Sequence, residues 1–168
     1  DMINEENQEA LKRQNEYNVI HLEASEGLDW NTSAKEQYAA TSNLFDRWRQ
    51  DGVLLQDESP SYYLMRHSFS FCGKKMVRVG LIASVGLEDY AARQVLPHEF
   101  TQAPAIQDRV WLMESLSANI SPIMSIYRDA DGELDRVYQQ IMTGAPEFDA
   151  TDESGGATAL WRITDPAV

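Results

Sequence analysis

His98 and Glu99 stand side by side in Leu96-Pro97-His98-Glu99-Phe100-Thr101, and Asp108-Arg109 follows shortly after. These residues bring together an imidazole, a carboxylate, a hydroxyl and a guanidinium. Those are the parts needed for proton transfer beside an anion. Glu99 can take the proton of a substrate hydroxyl, and Arg109 can bind two phosphate oxygens through its planar fork. His98 can contact a phosphate or steady the loop. Thr101 can cap a helix begun near Pro104, whose amino terminus would attract an anion. Structural readings of the same residues stay open: Glu99 can pair with Arg109 across the loop, or Asp108 and Arg109 can stitch a helix end to its neighbour. The His-Glu pair is no zinc motif, because no second histidine stands at helical spacing. No metal-ligating set is therefore assigned.

The elements that must position this segment follow from periodicity. Pro104 opens a helix with Ile106, Val110, Met113 and Leu116 as its expected apolar stripe, closed by Asn119 and Pro122. Ser33-Ala34-Lys35-Glu36 has capping-box spacing. Ala34, Tyr38, Thr41, Phe45 and Trp48 then recur at helical steps up to Asp51-Gly52, which predicts one helix packed on the core. Asn4 caps an expected surface helix through about Gln14. Tyr17 to Leu22 reads as a strand, followed by a polar loop from Glu23 to Trp30.

Ser61–Phe71 and Met76–Val85 read as a long antiparallel hairpin, with the second strand expected at the centre of a sheet. Lys74-Lys75 near the hairpin tip would keep an exposed end soluble. Ile123 to Tyr127 reads as a strand, Leu134 to Met142 as a helix ended by Gly144, and Ala159 to Ile163 as a last strand. Asp129, Asp131, Glu133 and Asp135 alternate around Gly132 without the ligand order of a calcium loop, so a solvated turn is expected. The resulting fold class is α+β, or mixed α/β: a mixed, largely antiparallel sheet with a central hairpin and flanking helices.

Composition narrows the function. The chain has 168 residues, with 14 basic and 27 acidic side chains and a net charge of −13. Such a surface repels phosphate backbones and anionic lipid, so neither nucleic acid nor a membrane is expected as a partner. A small-molecule substrate bound in a locally basic pocket is compatible with that charge. Cys72 is the single cysteine; no internal disulfide can form, which fits a cytoplasmic protein. No Walker-type loop, dinucleotide-binding glycine turn or nucleophile elbow is present. The chain opens on Asp1 and runs out at Asp165-Pro166-Ala167-Val168. One domain over 1–168 is expected, as part of a longer chain continuing past Val168.

Five ordered stretches resemble the prokaryotic domain-of-unknown-function family 1015. They are Asp1-Met2-Ile3-Asn4; Asp57-Glu58-Ser59-Pro60-Ser61-Tyr62-Tyr63-Leu64; Gly80-Leu81-Ile82-Ala83 with Glu88-Asp89-Tyr90; His98-Glu99-Phe100-Thr101 with Asp108-Arg109; and Ser121-Pro122-Ile123-Met124-Ser125-Ile126-Tyr127. Family members continue into an Asp-Gly-His-His-Arg type motif that this chain lacks. Through that motif the family is similar to the ParB/sulfiredoxin-like superfamily, which contains free-serine kinases. The resemblance implies nucleotide-dependent phosphoryl transfer to a small hydroxylated metabolite such as serine, with magnesium and ADP or ATP. Glu99 and His98 would be catalytic, and Arg109, Thr101, Asp108 and Asp1 would hold substrate or phosphate. A non-catalytic nucleotide- or metabolite-binding regulator and a phosphoester hydrolase are the alternatives.

Overall fold

A computed structural model of the chain describes residues 4–23, 33–98, 100–152 and 154–164. The chain divides into two compact units, one formed by Asp1–Gln56 with Glu88–Ile123, the other by Asp57–Leu87 with Met124–Val168.

The first unit is helical. Helix α1 (Glu5–Gln14) starts where the Asn4 side chain accepts from the Asn7 amide at 2.8 Å. The expected strand at Tyr17–Leu22 is instead a short helix, α2 (Ile20–Glu23). Local hydrogen bonding overrides the β-prone composition there: Asn15 and Asn18 accept from the amides of Tyr17 and Ile20 at 2.7 and 3.1 Å, bending the backbone into turns. Ile20 and Leu22 are then buried. The Ser33–Glu36 box forms as predicted, with the Glu36 amide bonded to Ser33 Oγ and the Ser33 amide to Glu36 Oε2. The helix it starts is interrupted. It comprises α3 (Ala34–Gln37) and α4 (Ala39–Gln50), separated at Tyr38, whose φ of −109° and ψ of 14° lie outside the helical region. Gly52 accepts the left-handed turn after α4 at φ +72°. Helix α5 (Ala103–Leu116) holds Pro104 in its first turn and ends at Ser117.

The second unit carries the sheet. Strands β1 (Tyr62–Phe71), β2 (Lys74–Ile82), β3 (Phe148–Thr151) and β4 (Ala157–Ile163) pair antiparallel in the order β2-β1-β4-β3. Helix α6 (Glu133–Ile141) completes the α+β fold expected from the sequence. Leu64 lies opposite both Leu81 and Trp161, so one face gathers Leu64, Ala159 and Trp161, with Tyr138 of α6 in the same core. Complete burial of Leu64 contributes about 2 kcal/mol by the area it removes from water. The Trp161 indole N–H is satisfied by the Gly144 carbonyl at 2.9 Å.

Two strand expectations are corrected. The second hairpin strand is at the end of the sheet order, with both its faces largely exposed, rather than at its centre. Ile123–Tyr127 forms no strand; its β-prone residues are exposed, and β structure requires a partner to close the ladder. Strand β3 was not expected, since four residues including Asp149 and Ala150 are weakly β-prone. Among the described residues no helix is long and apolar enough to cross a membrane.

Candidate functional site

Helix α5 carries two of the candidate groups, Asp108 and Arg109. Asp108, Leu112 and Leu116 recur every four residues and so share one face. Leu112 and Leu116 are buried together with Tyr38, while Ile106 and Met113 of the expected stripe are exposed. The helix is therefore rotated relative to the apolar pattern, and Asp108 is carried inward one turn ahead of Leu112. Its Oδ1 accepts a hydrogen bond from the Tyr38 hydroxyl.

The other Asp108 oxygen, Oδ2, accepts from Arg109 Nε at 2.9 Å and Nη2 at 2.5 Å. Arg109 Nη2 also donates to the Glu23 carbonyl at 3.2 Å. Glu23 in turn accepts from the Ser121 hydroxyl at 2.5 Å. A polar chain thus runs Tyr38–Asp108–Arg109–Glu23–Ser121, joining the end of α2, the break before α4, helix α5 and the segment beyond it. Asp108 and Arg109 thus pair with each other and tie α5 to the end of α2; the expected alternative, Glu99 pairing with Arg109, lies outside the described residues. The Asp108 side chain retains 15% of its exposure and Arg109 retains 39%, so Arg109 is the more accessible member of the pair. Arg109 Nη1 makes no hydrogen bond to a described residue.

His98 and Thr101 are exposed on the approach to α5. Thr101 is not the cap: Gln102 occupies the N-cap with extended backbone and no side-chain capping bond, and the first turn holds no acidic residue. The first turn of α5 thus adds no carboxylate of its own to the positive end of the helix dipole. Glu99 and Asp1, assigned to the site from the sequence, lie outside the described residues. Among the described residues no three His, Cys, Asp or Glu side chains cluster to hold a metal. The Asp129 carboxylate accepts from the amides of Leu134 and Asp135 at 3.3 and 2.9 Å and so serves the start of α6.

Sequence reasoning missed Tyr38, Glu23 and Ser121. Tyr38 was assigned to core packing, and it is indeed buried, but its hydroxyl also needed a partner there. The four-residue step from Asp108 through Leu112 to Leu116 was a usable signal. It was hidden because the stripe begins with a carboxylate.

A family model described as "Protein of unknown function (DUF1015)" matches residues 1–168. No curated protein and no solved structure matches the chain.

Proposed function

The chain belongs to the DUF1015 family, and from that premise we propose that it transfers a phosphoryl group from a nucleotide to a small hydroxylated metabolite such as free serine. The observation that carries this reading is the state of Arg109. Two of its nitrogens are fixed by Asp108 and the Glu23 carbonyl, while Nη1 is left uncommitted among the described residues. A guanidinium held in this way is oriented for an incoming anion before the anion arrives. The first turn of α5, with no acidic residue of its own, adds a second attraction for a phosphate.

In this scheme the substrate hydroxyl oxygen forms a bond to the terminal phosphorus as the bond from phosphorus to the departing nucleotide oxygen breaks. Glu99 takes the hydroxyl proton. Arg109 offsets charge on the phosphoryl oxygens, and His98 contacts the phosphate. Magnesium neutralises nucleotide phosphates when bound.

The test is to incubate the protein with magnesium, ATP or ADP and free serine, and to measure phosphoserine, with Glu99→Gln alongside. Phosphoserine formed by the wild type and lost in Glu99→Gln, with nucleotide affinity kept, supports the reading. Nucleotide binding without turnover in both proteins would identify a regulatory binding module. That second reading rests on the Asp108–Arg109 pair, which a binder needs as much as an enzyme does. Release of free phosphate in place of phosphoserine would identify a hydrolase.

A further inference from the structure

Strand β2 stands at the end of the sheet order, and its outer edge has no strand partner among the described residues. Edge strands are usually blunted by charge, proline or a bulge. Along Met76–Ile82 only Arg78 is charged, while Met76, Val77, Leu81 and Ile82 are 39–61% exposed. Such an edge is a template for another strand.

Its charge is equally distinctive. From Ser59 to Leu87 the chain contains Arg66, Lys74, Lys75 and Arg78 but no aspartate or glutamate, in a chain of net charge −13. None of the four cations pairs with a carboxylate of a described residue. Arg66 lies over the Trp161 ring at 5.5 Å. Arg78 lies over Phe69 at 5.9 Å and approaches His67 Nδ1 at 3.3 Å and the Met124 sulfur at 3.8 Å. The hairpin is thus a cationic, open-edged patch on an acidic protein.

We propose that the outer edge of β2 docks an extended acidic segment of a partner protein, added as a further strand. Backbone hydrogen bonds would supply affinity and alternate side chains the selectivity. Strand alternation places Lys74, Met76 and Arg78 on one face and Val77, Val79 and Leu81 on the other. A partner strand alternating carboxylates with branched apolar residues matches both faces at once. Parallel in-register pairing of β2 with β2 of a second copy would set Lys74, Lys75 and Arg78 against their own kind, and antiparallel pairing centred on Arg78 would still oppose the two Arg78 side chains. A nucleic-acid strand would leave the edge amides and Val77 and Leu81 unused.

The probe is a fluorescent peptide of alternating glutamate and valine, titrated into the intact protein by anisotropy, with hydrogen exchange measured in parallel. Saturable binding, slowed exchange of the Met76–Ile82 amides, and about tenfold weaker affinity in Arg78→Glu, with Arg78→Lys near wild type, are expected. Should Arg78→Glu fail to fold, a lysine–valine peptide supplies the same contrast on the wild-type protein. Four outcomes would overturn the proposal. They are equal binding of the lysine–valine peptide, undiminished binding of a peptide N-methylated on alternate residues, displacement by an oligothymidine strand, and slow β2 exchange through self-association before peptide is added.

Discussion

The Tyr38 hydroxyl donates a hydrogen bond to the Asp108 carboxylate across 70 residues of sequence. Tyr38 is 1% exposed, so its hydroxyl depends on a partner within the protein. The bond also anchors the carboxylate whose other oxygen, Oδ2, orients Arg109. A core contact and the proposed anion-binding guanidinium therefore share one carboxylate.

Tyr38→Phe keeps the ring and removes the donor. A loss of about 1–2 kcal/mol in unfolding free energy is expected, the usual cost of a buried hydrogen bond to a charged group. Urea denaturation would register it as a lower midpoint with unchanged slope. Tyr63→Phe is the control, because its hydroxyl donates to Asp57 in an exposed setting; its midpoint should hardly move.

Arg109→Lys retains the charge but not the fork. Lysine cannot reproduce bonds from Nε to Asp108 and from Nη2 to the Glu23 carbonyl together. Nucleotide affinity should fall about tenfold or more, measured by calorimetry, while the melting temperature shifts little. Unchanged affinity would remove Arg109 from the site.

Leu64→Ala opens a cavity beneath Trp161 and Tyr138. The expected cost is about 2–5 kcal/mol, depending on how far the neighbours collapse. Thermal unfolding monitored by tryptophan fluorescence would show it.

Two groups set opposite pH responses. Asp152 is held below the usual carboxylate range, chiefly by the Ser154 hydroxyl, then by the Gly156 amide. Its folded pKa is depressed, so its contribution is present above the unfolded value and lost as pH falls through the folded one. Burial first, and the Tyr127 hydroxyl second, push Tyr138 up to about 12. Its folded pKa is raised, so its contribution is intact below the ordinary tyrosine value of about 10 and is lost as pH rises through the folded one. Carbon-detected NMR titration should place the Asp152 midpoint below that of free aspartate, with Ser154→Ala raising it. Spectrophotometric titration of Tyr138→Phe should lose a late-ionising phenol.

Local chemistry alone determined much of this protein. The Ser33–Glu36 box, the Asn4 cap, the Gly52 stop and the hairpin through Cys72-Gly73 are short-range arrangements, closed by residues within a few positions of one another. The family resemblance was legible in the same way, from ordered short motifs, and it holds over residues 1–168. Tertiary structure decided the rest. It placed β2 at an edge, because strand order depends on which distant segment pairs with β1, and β4 takes the inner side. It left Ile123–Tyr127 outside the sheet, since strand-prone residues form a strand only with a partner. It turned the α5 face so that Asp108 meets Tyr38, a choice made by the packing of Leu112 and Leu116 rather than by apolar periodicity. The polar chain through Glu23 and Ser121 was illegible beforehand, because its members are brought together only by folding.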